Sequence, residues 1–467
     1  MKRLLIISML LVAAAALAVS AENPRDMKFP ELTFKPTEPT RFVADNGMVV
    51  YFLEYHELPV VSASAYFKGG EVYDPADKAG LAELTATLLR TGGAGARSPE
   101  QVDQDLDFIG ASVSSAAQSD YLIASINVLK KDLDPGFGIF SDMLRKPAFD
   151  SSKVALEVSN KENGILRQND DSWSISRRVF YQTVYAGHPY GQFPTLATVG
   201  AVTRDDMVSQ HKAFYAPDNC ILAMTGDLSL EEAKTLVNQY FGEWEKSGRV
   251  IKELAPASQQ YQPGVYYAEK DINQANIRLG TLGLDDKNPD RFAVEVMNFA
   301  LGGGGFTSRL TGEVRTGAGL AYSVGSYESF KPLGGTFFAY CLTKGETMSK
   351  AVNMMLDIIA EVKANGITKE EMDLAKESIV NSYIFNYDTP GELVAATAAL
   401  QLRGFPADQL QKDIESYKAV TLEDCRRVAA KYLDTSNIAL VITGNKELFD
   451  APLGDFGPVT EVSMEIK

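Results

Sequence analysis

Apolar residues along the chain follow two spacings. In Val49–Leu53, Val60–Phe67 and Leu122–Val128 they form short runs or alternate with polar residues, and Asn276–Leu282 and Thr336–Leu342 repeat this later. Such runs predict strands. Residues 150–168 and 369–385 instead carry apolar residues every three to four positions, which predicts long helices. Asn127 to Leu144 and Thr343 to Val362 each read as a strand end, a charged turn and an amphipathic helix. Strand runs followed by helix runs predict an α+β fold with helices on one face of a sheet.

The pattern occurs twice. Residues 214–227, FYAPDNCILAMTGD, and 431–445, KYLDTSNIALVITGN, share an aromatic, a polar turn, an apolar strand and Thr-Gly before Asp or Asn. A helix-like stretch from Gly80 closes at Gly92, and its counterpart from Arg291 closes at Gly302-Gly303-Gly304-Gly305. An offset of about 218 residues indicates duplicated domains rather than a solenoid. Residues 246–263 hold Pro, Ser and Gln without periodicity and predict a linker. The expected division is a signal peptide at 1–21 and α+β domains at 22–250 and 251–467.

Composition narrows the function. The 467 residues carry 45 Lys and Arg against 61 Asp and Glu, a net charge of −16. That balance disfavours nucleic acid and anionic membrane surfaces. Lys2 and Arg3, the apolar run Leu4 to Ala18 and the small residues Val19-Ser20-Ala21 read as an export signal, so the expected location is periplasmic or otherwise exported. The alternative for this segment is a membrane anchor. Three cysteines, Cys220, Cys341 and Cys425, leave at least one unpaired, and their apolar surroundings predict buried thiols. With only His56, His188 and His211 present, none at helical spacing from another, multi-histidine metal sites on this chain alone are excluded. The acids Glu157, Glu162, Asp170 and Asp171 read as a solvated charged face.

Gly80-Leu81-Ala82, His188-Pro189-Tyr190-Gly191, Phe306-Thr307-Ser308-Arg309-Leu310 and Arg315 through Val324 stand in this order. The ordered set resembles the pitrilysin/insulinase metallopeptidases over nearly the whole chain after the signal. The resemblance implies two homologous domains, each a mostly antiparallel sheet packed with helices, together half of a clam-shaped chamber. Active members hold zinc with two histidines and a distant Glu, and a Glu between the histidines acts as base. The matching positions here are Glu83 and Thr87 for the histidines, Ala86 for the base and Gly164 for the distant Glu. No zinc is therefore expected on this chain, although Glu162 could stand in for one ligand.

The resemblance also implies that an Arg and a Tyr seven residues apart face the zinc of the other half; Arg315 and Tyr322 have that spacing. Helix-like 307–316 should stop at Gly317 or Gly319, and Leu320–Val324 should follow as a strand, holding the two side chains close. Arg would bind a peptide carbonyl or carboxylate, and Tyr would donate to an oxyanion. The structural alternatives are an Arg315–Glu313 ion pair and a Tyr322 in the core. Gly302 to Gly305 could stop a helix or let a substrate backbone approach; no Lys-Ser or Lys-Thr follows them to make a phosphate cradle. The implied function is a zinc-free subunit of a heterodimeric protease. A related H-x-x-E-H partner would supply the zinc and cleave a peptide substrate. The rivals are a non-catalytic peptide-binding or structural core-like protein, as homodimer or heterodimer, and an independent metallopeptidase.

Overall fold

The computed structural model describes residues 33–466. The signal segment 1–21 and Lys467 lie outside the described residues. Two six-stranded sheets carry the chain. Sheet 1 is built from β1 (Thr40–Val43), β2 (Val49–Glu54), β3 (Val60–Lys68), β4 (Ser112–Ala117), β5 (Tyr121–Leu129) and β6 (Cys220–Gly226), in the order β1-β2-β6-β3-β5-β4. Sheet 2 is built from β7 (Gly264–Glu269), β8 (Gln274–Leu282), β9 (Ala321–Ser329), β10 (Thr336–Lys344), β11 (Ala439–Gly444) and β12 (Val459–Glu461), in the order β12-β7-β11-β8-β10-β9. The two similar sequence stretches become β6 and β11. Each runs parallel to one neighbour, β2 or β7, and antiparallel to the other, β3 or β8. The fold is α+β, with two equivalent, mostly antiparallel sheets.

Alternation sets the faces of each sheet. In β3, Val61, Ala63, Ala65 and Phe67 are buried against the helices Leu81–Thr91, Pro99–Ile109, Leu133–Arg145, Arg204–Phe214 and Leu230–Phe241. In sheet 2, Ile277, Leu279 and Cys341 are buried on the corresponding side, where the helix Met348–Asn365 packs on β10. All three cysteines are buried free thiols.

The halves also exchange helices. Ser172–Val184 packs not on its own sheet but on β7, β8 and β11, with Ile175, Val179 and Phe180 against Phe338 and Val441. In return Pro390–Leu402 packs on β2, β3 and β6, with Val394, Ala398 and Leu402 against Tyr51, Tyr66 and Ala223. The second helix is apolar around most of its circumference, and this position between elements buries it. Thr389 starts it with a capping box to Glu392.

Four strands were not among those expected from the sequence pattern: β1, β4, β7 and β12. Three are sheet edges, with one side open to solvent, so their sequences need less apolar content. No helix or strand occupies 244–263, where the linker was expected. Among the described residues no helix is long and apolar enough to cross a membrane.

Candidate functional site

The helix Leu81–Thr91 starts where it does because Asp74 takes its first amides. Gly80 N donates to Asp74 Oδ2 and Ala82 N to Oδ1, both at 2.9 Å. Gly80 itself has φ 103°, open to glycine. Burial pushes the Asp74 carboxyl up to about 7, against the amides that draw it down. One turn apart on this helix, Glu83 and Thr87 are partly exposed, whereas Ala86 is buried. The neighbouring helix Ser151–Leu166 carries Gly164, and its Lys161 pairs with Glu83. A Cβ at Gly164 would meet nothing within 4 Å, and Glu162 lies beside Gly200.

The fold thus brings the four positions that the resemblance assigns to the zinc set onto two neighbouring helices, as one place. Its side chains are one carboxylate already paired with an ammonium, one hydroxyl, one methyl and one hydrogen. Zinc needs three or four imidazole, thiolate or carboxylate donors, so the residues present do not fit it. Among the described residues no group of three or more His, Cys, Asp or Glu could hold a metal ion.

Each histidine is engaged elsewhere. His56 bonds Asp227 at 2.6 Å and Glu54 at 2.7 Å, and those bonds raise its pKa. His211 Nε2 bonds Leu144 O at 2.8 Å, and burial lowers its pKa. His188 Nδ1 accepts from Tyr190 N at 3.2 Å, and Nε2 bonds Ala255 O at 3.1 Å. Tyr190 in turn donates its hydroxyl to Asp120 and accepts from Leu333 N at 3.4 Å, while Lys331 Nζ stands 4.5 Å from its ring centre. His188-Pro189-Tyr190-Gly191 therefore ties the first half to the linker and to the turn between β9 and β10. Burial lowers the Lys331 pKa against the pull of Asp120 and Glu71.

In the second half, the helix Arg291–Asn298 continues in wide turns to Gly303. Gly302 is buried under β9, where a Cβ would come within 2.4 Å of Ser326 N. Gly303 and Gly305 are exposed, Gly304 is half-buried, and Gly305 has φ 58° with open space around it. A single 3-10 turn covers Gly305–Thr307, and after Ser308 helical turns run from Arg309 through Gly317. Arg309 anchors them with two 2.7 Å bonds to Glu371. Gly319 then turns the chain with φ 64°, and β9 begins at Ala321.

This turn brings Arg315 and Tyr322 together. The guanidinium carbon lies 5.5 Å from the Tyr322 ring centre and 4.9 Å from that of Phe306. Tyr322 is 78% exposed and Phe306 73%, so neither ring belongs to the core. Glu313 does not hold Arg315, which makes no ion pair among the described residues. Tyr322 stands where the β9–β10 register shifts, on an edge strand that among the described residues pairs with β10 alone. Phe306, half of the clamp on Arg315, had no assigned role in the sequence pattern, since its partner arrives only through the glycine turns.

Two family models match the chain, together covering more than half of it. Residues 50–194 match the insulinase model, peptidase family M16, and residues 201–379 match the peptidase M16 inactive domain. The chain is 23% identical to the uncharacterized zinc protease YmxG of Bacillus subtilis, over 86% of this chain and 97% of that one. It is also 23% identical to the non-peptidase homolog YmxG of Helicobacter pylori, over 85% and 92%. Its fold is similar to a solved peptidase M16 inactive domain from Pseudomonas fluorescens, with a TM-score of 0.80 at 24% identity. That match covers 89% of this chain and all of that one.

Proposed function

The chain belongs to the insulinase family of peptidases, M16, as a member without the zinc-binding set, and from that premise we propose that it is the non-catalytic subunit of an exported two-chain protease. Its domains, 22–250 and 251–467, would form half of a clam-shaped chamber, and a related H-x-x-E-H chain would form the other half and hold the zinc. The reading rests above all on Arg315, held without an ion pair between two exposed rings beside an open strand edge. A guanidinium in that state offers its fork of N–H donors to a peptide carbonyl or carboxylate. Tyr322, free of core packing, donates its hydroxyl to the oxyanion that develops on the scissile carbonyl. An extended peptide adds along β9 and passes Gly303 and Gly305.

The test mixes the purified chain with an exported H-x-x-E-H chain and follows cleavage of a quenched peptide. Tyr322→Phe is expected to lower kcat by roughly a hundredfold, as loss of one oxyanion donor does. Unchanged cleavage sinks the assigned role. The name of the Helicobacter pylori relative, a non-peptidase homolog, favours a second reading in which this chain takes no part in cleavage, and for that case we propose that it holds peptides as a homodimer. A chain that self-dimerises, binds peptide and gives no cleavage with any such partner supports that one instead.

A further inference from the structure

Three polar side chains on one face of sheet 2 carry buried atoms with no hydrogen-bond partner among the described residues. Asn276 and Arg278, two residues apart on β8, share this face. Across from them on β11 stand Thr443 and Val441. Asn276 Nδ2, Arg278 Nε and Nη2, and Thr443 Oγ1 are all buried without a hydrogen-bond partner among the described residues. Asn276 Oδ1 accepts from Ser176 Oγ at 3.1 Å, which leaves the amide N–H groups as the free end.

Arg278 is the most costly of the three. It is 2% exposed and has no carboxylate partner. Its guanidinium carbon lies 4.3 Å from the Phe338 ring centre, 4.7 Å from Trp173 and 5.9 Å from Phe180. Ring faces attract a cation but accept no N–H hydrogen bonds along its edge. Burial draws its pKa down to about 10, and the groups that bear on it are Tyr181, Tyr340 and Arg177. Arg177 is a second cation, exposed on the helix that covers this face. In a chain with 61 acids to 45 bases, two neighbouring arginines without an acid are not a result of composition.

We propose that Arg278, supported by Arg177 and the free Asn276 amide, is a receptor for a carboxylate group, with Trp173 as its cover. The guanidinium fork matches a carboxylate through two parallel hydrogen bonds, and the flanking rings hold the fork in place. Trp173 is 37% exposed and meets Tyr340 edge-on at 5.2 Å, whereas Phe180 and Phe338 are buried. Trp173 is therefore the ring that separates the guanidinium from solvent, and in this proposal it is the one that must move. The carboxylate comes from an acidic side chain or C-terminus of a bound peptide, or from a small free acid. Only the peptide as its source rests on the reading of the previous section; the receptor belongs to this chain alone.

The test uses the isolated full chain. Trp173 and Trp244 are its two tryptophans, and Trp244 is buried in the first-half core, so Trp244→Phe isolates the Trp173 emission. If that variant fails to fold, the unmodified chain is titrated, with Trp244 as a constant background. The probes are a blocked pentapeptide holding one Glu, its Gln analogue, and sodium acetate. A saturable change in Trp173 emission with the Glu peptide is expected, at least tenfold weaker with the Gln peptide and lost in Arg278→Met. Arg278→Met should also melt no lower than its parent, because it removes an unpaired buried charge and keeps an apolar stem. Acetate that saturates the signal and displaces the peptide at millimolar concentration assigns the receptor to small free acids. Equal binding of Glu and Gln peptides, no saturable response to any carboxylate, or a sharply lower Tm in Arg278→Met overturns the proposal. None of these outcomes bears on the Tyr322→Phe result with the partner, so the two readings fail separately.

Discussion

The two sheets meet the same problem at equivalent places and resolve it differently. Ser62 and Ser64 of β3 stand opposite Thr225 and Ala223 of β6, as Asn276 and Arg278 of β8 stand opposite Thr443 and Val441 of β11. In sheet 1 every polar group there is answered. Asn127 Nδ2 donates to Ser62 Oγ at 2.7 Å, Ser64 and Ser125 share a 2.8 Å bond, and Thr225 Oγ1 donates to Leu53 O at 2.7 Å. In sheet 2 the corresponding donors are left open. A buried unmade hydrogen bond costs about 1–3 kcal/mol, so this part of sheet 2 carries a cost that its counterpart in sheet 1 avoids. The acids on the matching helices differ in the same sense. Glu83 pairs with Lys161, whereas Glu295, half-buried, has no ion pair among the described residues and accepts from Tyr417.

The comparison depends first on the exchanged helices, which make the halves one cooperative body. Phe180→Ala, beneath sheet 2, is expected to cost about 3–5 kcal/mol, and Leu402→Ala, beneath sheet 1, about 2–5 kcal/mol. Both should shift a single unfolding transition in urea. Two separated transitions in either variant would show that the halves fold independently.

A smaller effect tests the buried acid. Burial pushes Glu295 up to about 7, with Asp413 adding to the rise and Arg291 opposing it. Below about pH 4 the carboxyl is protonated in both folded and unfolded chains and does not affect stability. Between its ordinary value and 7 the unfolded group ionises while the folded one keeps its proton, so stability falls and then levels off. The full penalty above pH 7 is about 3 kcal/mol. Glu295→Gln is therefore expected to stabilise by that amount at pH 8 and to change little at pH 4, measured by urea denaturation. Equal effects at both pH values would rule out ionisation as the cause.

The smallest effect sharpens the contrast between the sheets. Ser64→Ala leaves Ser125 without its partner and should cost about 1 kcal/mol. The equivalent change in sheet 2, Arg278→Met, should cost nothing. Thermal melts of the two variants that moved in the same direction would erase the distinction.

Much of the fold was legible because burial writes a period into the sequence. The strands Val49–Glu54 and Val60–Lys68 and the helix Lys369–Phe385 stand where their spacing placed them. The β6 and β11 repeats announced two equivalent sheets. Edge strands such as Ser112–Ala117 escaped notice, since half of their surface need not be apolar. At the site, the glycines at 317 and 319 foretold the turn that brings Arg315 to Tyr322. Phe306 stood in the matched stretch 306–310 without a role, because a ring clamp depends on chain direction rather than spacing. Arg278 looked like any strand arginine until Trp173, from a helix of the other half, was found lying on it.

The sequence by itself determined the duplicated α+β plan, the absence of any two histidines at helical spacing, and the seven-residue step from Arg315 to Tyr322. Those follow from periodicity and residue chemistry, which are local. Only the tertiary structure decided which helix covers which sheet, that Lys161 answers Glu83, and that Ser64 is satisfied while Arg278 is not. Whether a buried polar group finds a partner depends on side chains far away along the chain, and no local pattern encodes that.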